Sequence, residues 1–150
     1  MFREPLRSTL KRHTRPTRTH IQIDVYLYFV DDQLKGVRWI GSSQKDLRTF
    51  PPEVRLDVGF ALYAAQNGET DPAAKPLKGF GGHTVMEIVA PFDGNTWRTV
   101  YTVRFHGFVY VLHAFQKKSK TGIATPKAEI DLIHQRLATA ERHYREREGA

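Results

Sequence analysis

The chain contains no cysteine. Thiol catalysis, cysteine-based zinc sites and disulfides are excluded together, and the composition suits a reducing compartment. Long hydrophobic runs are missing too. The longest, Val25 to Val30, is far too short to span a bilayer. The basic N-terminus lacks the apolar core of a signal peptide. A soluble cytoplasmic protein with no membrane contact is therefore expected. Acidic residues are the scarcer charge, 16 against 23 Lys and Arg, for a net charge of +7. Common catalytic signatures are also absent. Gly79-Phe80-Gly81-Gly82 is not followed by the lysine and hydroxyl that a phosphate-binding loop requires. There is no nucleophile elbow and no helical pair of zinc-binding histidines. The seven histidines are scattered, and neither a metal nor another cofactor is expected.

What remains is enough for one domain. A chain of 150 residues buries roughly 70% of its unfolded surface and needs no staple to fold. Its charge is unevenly placed. Residues 1–20 hold Arg3, Arg7, Lys11, Arg12, Arg15 and Arg18 against one acid, Glu4, so most of the net charge lies there. This segment has almost nothing to bury and reads as a flexible basic arm, either a nucleic-acid-binding tail or a plain solvated extension. Residues 21–150 read as a single domain.

Within that domain, residues 21–30 alternate like a strand, and Val37 to Ile40 form a second short strand that can pair with them as a hairpin. Ser43 with Asp46 resembles a capping box before a short helix over 44–50. Pro51-Pro52 opens a second helix, whose Val54, Val58, Ala61, Leu62 and Ala65 share one face, and Asn67-Gly68 stops it. A loop spans 69–82. Strands are predicted over Thr84 to Ala90, Trp97 to Phe105 and Phe108 to Gln116. Thr125 as cap and Pro126 then start a final helix with Ile130, Ile133, Leu137 and Ala140 on one face; beyond Ala140 a solvated extension or fraying is expected. The order describes an α+β domain: a small, mostly antiparallel sheet, a helical hairpin on one face and a C-terminal helix. With the helices against one face, the other is expected to be free for binding.

The concentrated chemical signal is cationic. Arg98 opens one strand, and Lys117, Lys118 and Lys120 close the next. Counting back from the His106-Gly107 turn brings Arg98 near Gln116 or its neighbours. Glu87 falls on the strand before. A guanidinium, several ammonium groups and a carboxylate at one sheet margin can grip a phosphodiester and stabilise a pentavalent transition state. Phe115, Tyr101 and Phe105 are candidates to stack on bases, with core packing as the plainer alternative. Arg98 can equally form a structural ion pair with Glu87 or Asp93. His113 alternates with Val109, Val111 and Phe115 and is either a core histidine or a general acid or base.

Residues 37–136 resemble the RelE/HigB superfamily of type II toxin–antitoxin toxins, in its phage-derived HigB-like branch. The likeness runs through Trp39-Ile40-Gly41-Ser42-Ser43 with Asp46-Leu47, Phe50-Pro51 with Glu53-Val54-Arg55, and Gly59-Phe60-Ala61-Leu62. It continues through Ala65-Gln66, Gly68, Lys75-Pro76-Leu77-Lys78-Gly79-Phe80-Gly81, Glu87-Ile88 and Arg98 with Val100-Tyr101. It ends with Val109-Tyr110-Val111-Leu112-His113-Ala114-Phe115-Gln116-Lys117-Lys118-Ser119 and Thr125-Pro126 with Glu129-Ile130. The resemblance implies a toxin that cleaves mRNA in the ribosomal A site, the ribose 2′-hydroxyl attacking its own phosphate to leave a cyclic phosphate. No metal or cofactor is implied. The implied partners are the ribosome, mRNA and a neutralising helix-turn-helix antitoxin of HigA type, with operator DNA reached only through that antitoxin.

Carried over residue by residue, the resemblance gives Arg98, Lys117 and Lys118 to phosphate binding and charge stabilisation. His113 and Glu87 are candidates for proton transfer. Lys120, Gln116, Phe115 and Tyr101 are candidates for RNA contact. The late tyrosine found in the wider family has no counterpart, since Thr121-Gly122-Ile123 occupies that stretch. Two other functions remain open on this sequence: a ParE-type toxin that binds DNA gyrase, and an inactive toxin-derived binding protein. The retained Arg98 and lysine cluster favour RNA cleavage.

Overall fold

The computed structural model describes residues 34–82, 84–117 and 125–148. The chain divides into two units, Met1–Asp32 and Gln33–Ala150, and the described residues belong to the second. The basic arm, the strand expected over 21–30, Lys118 and Lys120 lie outside them.

Five strands form one sheet: β1 (Gly36–Trp39), β2 (Ala74–Pro76), β3 (Val85–Phe92), β4 (Asn95–Thr102) and β5 (Phe108–Lys117). Their spatial order is β1-β5-β4-β3-β2. All neighbours run antiparallel except β1, which pairs in parallel with β5. Two helices follow β1: α1 (Ser43–Arg48) and α2 (Pro52–Gln66); a third, α3 (Lys127–His143), follows β5. The α+β class and the mostly antiparallel sheet agree with the sequence reading. The short strand β2 stands where the sequence predicts only loop, because its three residues end in a proline and carry no alternation.

The α2 periodicity does what it predicts. Val54, Val58, Ala61, Leu62 and Ala65 are all buried. Together with Phe50 they pack on Met86, Ile88, Tyr101, Val109, Val111 and Ala114 of the sheet. The expectation of a free opposite face does not hold. Ile133, Leu137 and Ala140 of α3 pack with Val85, Val100, Tyr110, Leu112 and Phe115 in a second core. The reason is physical: α3 has its own apolar stripe, and a strand apolar on both sides needs cover on both.

Beyond Ala140 the helix continues to His143 as a solvated extension, one of the two outcomes expected, and does not fray. A π-helical turn, Tyr144–Glu148, ends the described chain. Tyr144 stacks on Phe105 at 5.2 Å. Glu148 accepts from Arg38, whose Nε lies 2.9 Å and Nη2 2.8 Å from its Oε1. Among the described residues, no helix is long and apolar enough to cross a membrane.

Candidate functional site

The site is built on the α3 side of β5, and a β-bulge decides which residues stand there. Val100 of β4 faces His113, but the next residue, Tyr101, faces Val111. Leu112 is therefore the extra residue on β5. Without it, His113 would share a face with Val109 and Val111, as strict alternation predicts. With it, Leu112 and His113 both serve the α3 side, and Phe115 and Lys117 come next at two-residue steps. The placement of His113 by alternation is thus corrected.

Register places Arg98 opposite Phe115 and Thr96 opposite Lys117, as counting from the turn expects. Arg98 and Glu87 are both buried, with side chains 6% and 2% exposed. Arg98 Nη1 donates to Glu87 Oε2 at 2.6 Å. Thr125 Oγ1 donates to the other oxygen, Oε1, at 2.9 Å. Thr125 is therefore not the cap of α3. Pro126 occupies that position, and the hydroxyl serves a buried carboxylate instead. Both oxygens of Glu87 are engaged, and two opposed charges neutralise each other below the surface.

Lys117 stands at the margin of this pair. Its ammonium titrates below the ordinary lysine value of 10.5. Partial desolvation is the largest cause, the Arg98 charge comes next, Glu87 opposes, and Lys75 adds a further push downward. Lys75 lies across from Glu87 in the β2–β3 register. Two lysines thus flank a buried guanidinium whose charge is already balanced.

A second network was missed by sequence reasoning. Arg136 of α3 donates from Nη1 to the Leu112 carbonyl at 3.0 Å, next to the bulge. The same nitrogen lies 3.2 Å from His113 Nδ1. Arginine only donates, so Nδ1 is the acceptor and the ring proton resides on Nε2. Nε2–H then donates to Glu129 Oε1 at 3.1 Å. Arg136 Nη2 also donates to Ser42 Oγ at 3.0 Å, and Ser42 donates to Asp46 Oδ2 at 2.7 Å.

The Gly41-Ser42-Ser43 triplet is explained by this arrangement. Gly41 has φ of 58°, and a Cβ there would lie 2.8 Å from Arg136 Nε. Ser43 is not the capping residue; Ser42 occupies that position. The buried Ser43 hydroxyl donates to the Val111 carbonyl at 3.1 Å. The available signal was a glycine beside two hydroxyls at the end of a strand.

The structure brings together Arg98, Glu87, His113, Phe115 and Lys117. Phe115 is buried and stacks on the His113 ring at 4.8 Å. Two other expected RNA contacts stand apart from this group. Tyr101 is fully buried in the α2-side core, and burial, aided by Asp71, pushes its hydroxyl up to about 12. Its reading as a stacking residue is corrected to a core residue. Gln116 pairs with Trp97 and alternates away from Phe115 and Lys117, so it projects to the α2 side.

The family model of Phage derived protein Gp49-like (DUF891) matches residues 45–138. Among solved structures, the toxin–antitoxin complex RelBE2 from Mycobacterium tuberculosis is similar at 19% identity and a TM-score of 0.40, over 55% of this chain and 98% of that one. No curated protein matches this chain significantly.

Proposed function

This chain belongs to the phage-derived Gp49-like family, and on that premise we propose that it is the toxin of a RelE-like toxin–antitoxin pair that cleaves mRNA on the ribosome. The observation that carries the reading is Lys117. Register sets it at the end of β5, two residues beyond the partner of Arg98 and at the margin of the buried Arg98–Glu87 pair that Lys75 also borders, and its ammonium titrates below 10.5, through desolvation first and Arg98 next. The attack needs no side-chain nucleophile. The ribose 2′-oxygen bonds to phosphorus, the P–O5′ bond breaks, and a 2′,3′-cyclic phosphate remains. Lys117 gives its proton to the departing 5′-oxygen, a task helped by a pKa moved toward the working pH. Arg98 is buried and already paired, so it contributes through its field on Lys117 and by holding the strand ends in register, not by gripping the phosphate. The antitoxin is the expected partner, of helix-turn-helix type, and operator DNA is reached through it.

Primer extension on mRNA in translating ribosomes tests this. Wild type should cut, and Lys117→Ala should slow cutting by about 10²–10⁴-fold. A 5′-bridging thiolate at the scissile bond is a leaving group that needs no proton, and it should restore Lys117→Ala. Absence of cutting by wild type together with impaired gyrase supercoiling would replace the RNase reading with the ParE-type one.

A further inference from the structure

Cleavage by the ribose 2′-hydroxyl needs a group to take its proton, and the two candidates raised by the sequence are both occupied. Glu87 is 2% exposed and commits one oxygen to Arg98 and the other to Thr125. His113 is 7% exposed, accepts from Arg136 at Nδ1, and has its only ring proton on Nε2. It has no lone pair left to act as a base.

That proton points at a third carboxylate. Glu129, in the first turn of α3, is 28% exposed, and its Oε1 receives the His113 Nε2–H bond. Among the described residues, His113 is the only hydrogen-bond partner of the Glu129 side chain. Oε1 is therefore oriented from within the protein, while the side chain as a whole stays partly exposed. Resting on the RNA-cleavage reading, we infer that Glu129 is the general base. The orienting chain behind it is Arg136, which fixes the His113 tautomer, and His113, which fixes the carboxylate. His113, Phe115 and Lys117 succeed one another along one face of β5, so the Glu129 contact lies at one end of this row and Lys117 at the other, about 13 Å of strand apart. In the proposed complex the Lys117 side chain reaches back along this row, so that one phosphodiester meets a proton acceptor at its 2′ side and a proton donor at its 5′ side. The 2′-hydroxyl proton passes to the Glu129 carboxylate as the O2′–P bond forms, and the Lys117 proton passes to O5′ as the P–O5′ bond breaks. The second step leaves protonated Glu129 and neutral Lys117, which re-equilibrate with water.

Single-turnover cleavage on programmed ribosomes tests the assignment with Glu129→Gln and Glu129→Ala. Glutamine keeps an acceptor for His113 Nε2–H but cannot take a proton, so its rate should fall about 100-fold or more. Added formate should restore Glu129→Ala at least about tenfold over matched chloride, because a free carboxylate can occupy the vacated space, and should not restore Glu129→Gln. A thiolate leaving group should rescue neither variant. Glu129→Gln cutting within threefold of wild type would overturn the assignment. Loss in both variants with no response to formate would overturn it too, leaving Glu129 as a support for His113. No cutting by wild type would overturn the RNA-cleavage reading and this inference together.

Discussion

On the α2 side of the sheet, Ile88, Val109, Val111 and Ala114 meet Val54, Val58 and Ala61, and the contact is made mostly by apolar side chains, with buried Thr99 on the same face and Asp71 beside Tyr101. On the α3 side, Val100, Leu112 and Ile133 form a comparable apolar core, yet Arg98, Glu87 and His113 are buried at its margin. Both sides belong to the same strands, so the difference comes from which residues alternate to which face. An apolar contact is satisfied by fit alone. A buried charge is tolerable only while every partner is in place. Both sides therefore hold the fold through apolar cores, and the α3 side also holds a fixed arrangement of charges.

Removing half of the buried ion pair should break this comparison most sharply. Arg98→Ala leaves the Glu87 carboxyl below the surface without its guanidinium. A loss of about 3–5 kcal/mol in urea unfolding is expected. The double variant Arg98→Met with Glu87→Met replaces both charges by apolar groups and should recover most of that loss. Cleavage should stay impaired in the double variant, since the field on Lys117 is gone. If the single variant unfolds like wild type, the pair is not the buried, mutually dependent unit described above.

The next effect is expected at Gly41, where the α3 side is tied to the loop before α1. Gly41→Ala forces a side chain into a left-handed conformation and toward Arg136 Nε. A cost of about 1–3 kcal/mol is expected. Displacing Arg136 also frees His113 Nδ1, so the ring can exchange tautomers. The 15N shifts of the His113 ring, which in wild type should report Nε2–H alone, measure this directly. An unchanged tautomer in Gly41→Ala would mean that Arg136 is not what fixes it.

The two sides also differ in how far the sequence reveals them. The α2 core is legible because a 3.6-residue period and a proline start leave little choice. The closeness of Arg98 and Glu87 is legible because antiparallel register can be counted from a turn. The facing of His113 is not, since one inserted residue in β5 reverses the side on which every later residue stands, and nothing in Leu112-His113 announces a bulge. Thr125 looks like a cap because it precedes Pro126, but its hydroxyl answers a carboxylate 38 positions earlier. Arg136 and Glu129 escape sequence reasoning for a related reason. Each reads as a solvated helix residue until α3 is laid on the sheet. The run from Val109 to Phe115, apolar on both faces, does signal that neither side would be left open.

The smallest effect expected is on the titration of Lys117, and it asks whether the surface cations feel the buried pair. Lys117 titrates below 10.5 in the folded protein. Between that lowered value and 10.5 the unfolded chain binds more protons than the folded one, so stability contributed by this group rises with pH across that window. Lys75 is the weaker of the two cations that push Lys117 down, behind Arg98. Lys75→Ala should therefore move the Lys117 titration upward by a small step, and the Arg98→Met, Glu87→Met double variant should reveal the net of a larger push and an opposing pull. NMR of the Lys117 side-chain Cε resonance against pH reads both shifts. The upward step should shrink as salt rises, because Lys75 is exposed and its charge is screened. A Lys117 titration at or above 10.5, or one that Lys75→Ala leaves unmoved at low salt, would separate the lysines from the ion pair and reduce the α3 side to a structural network.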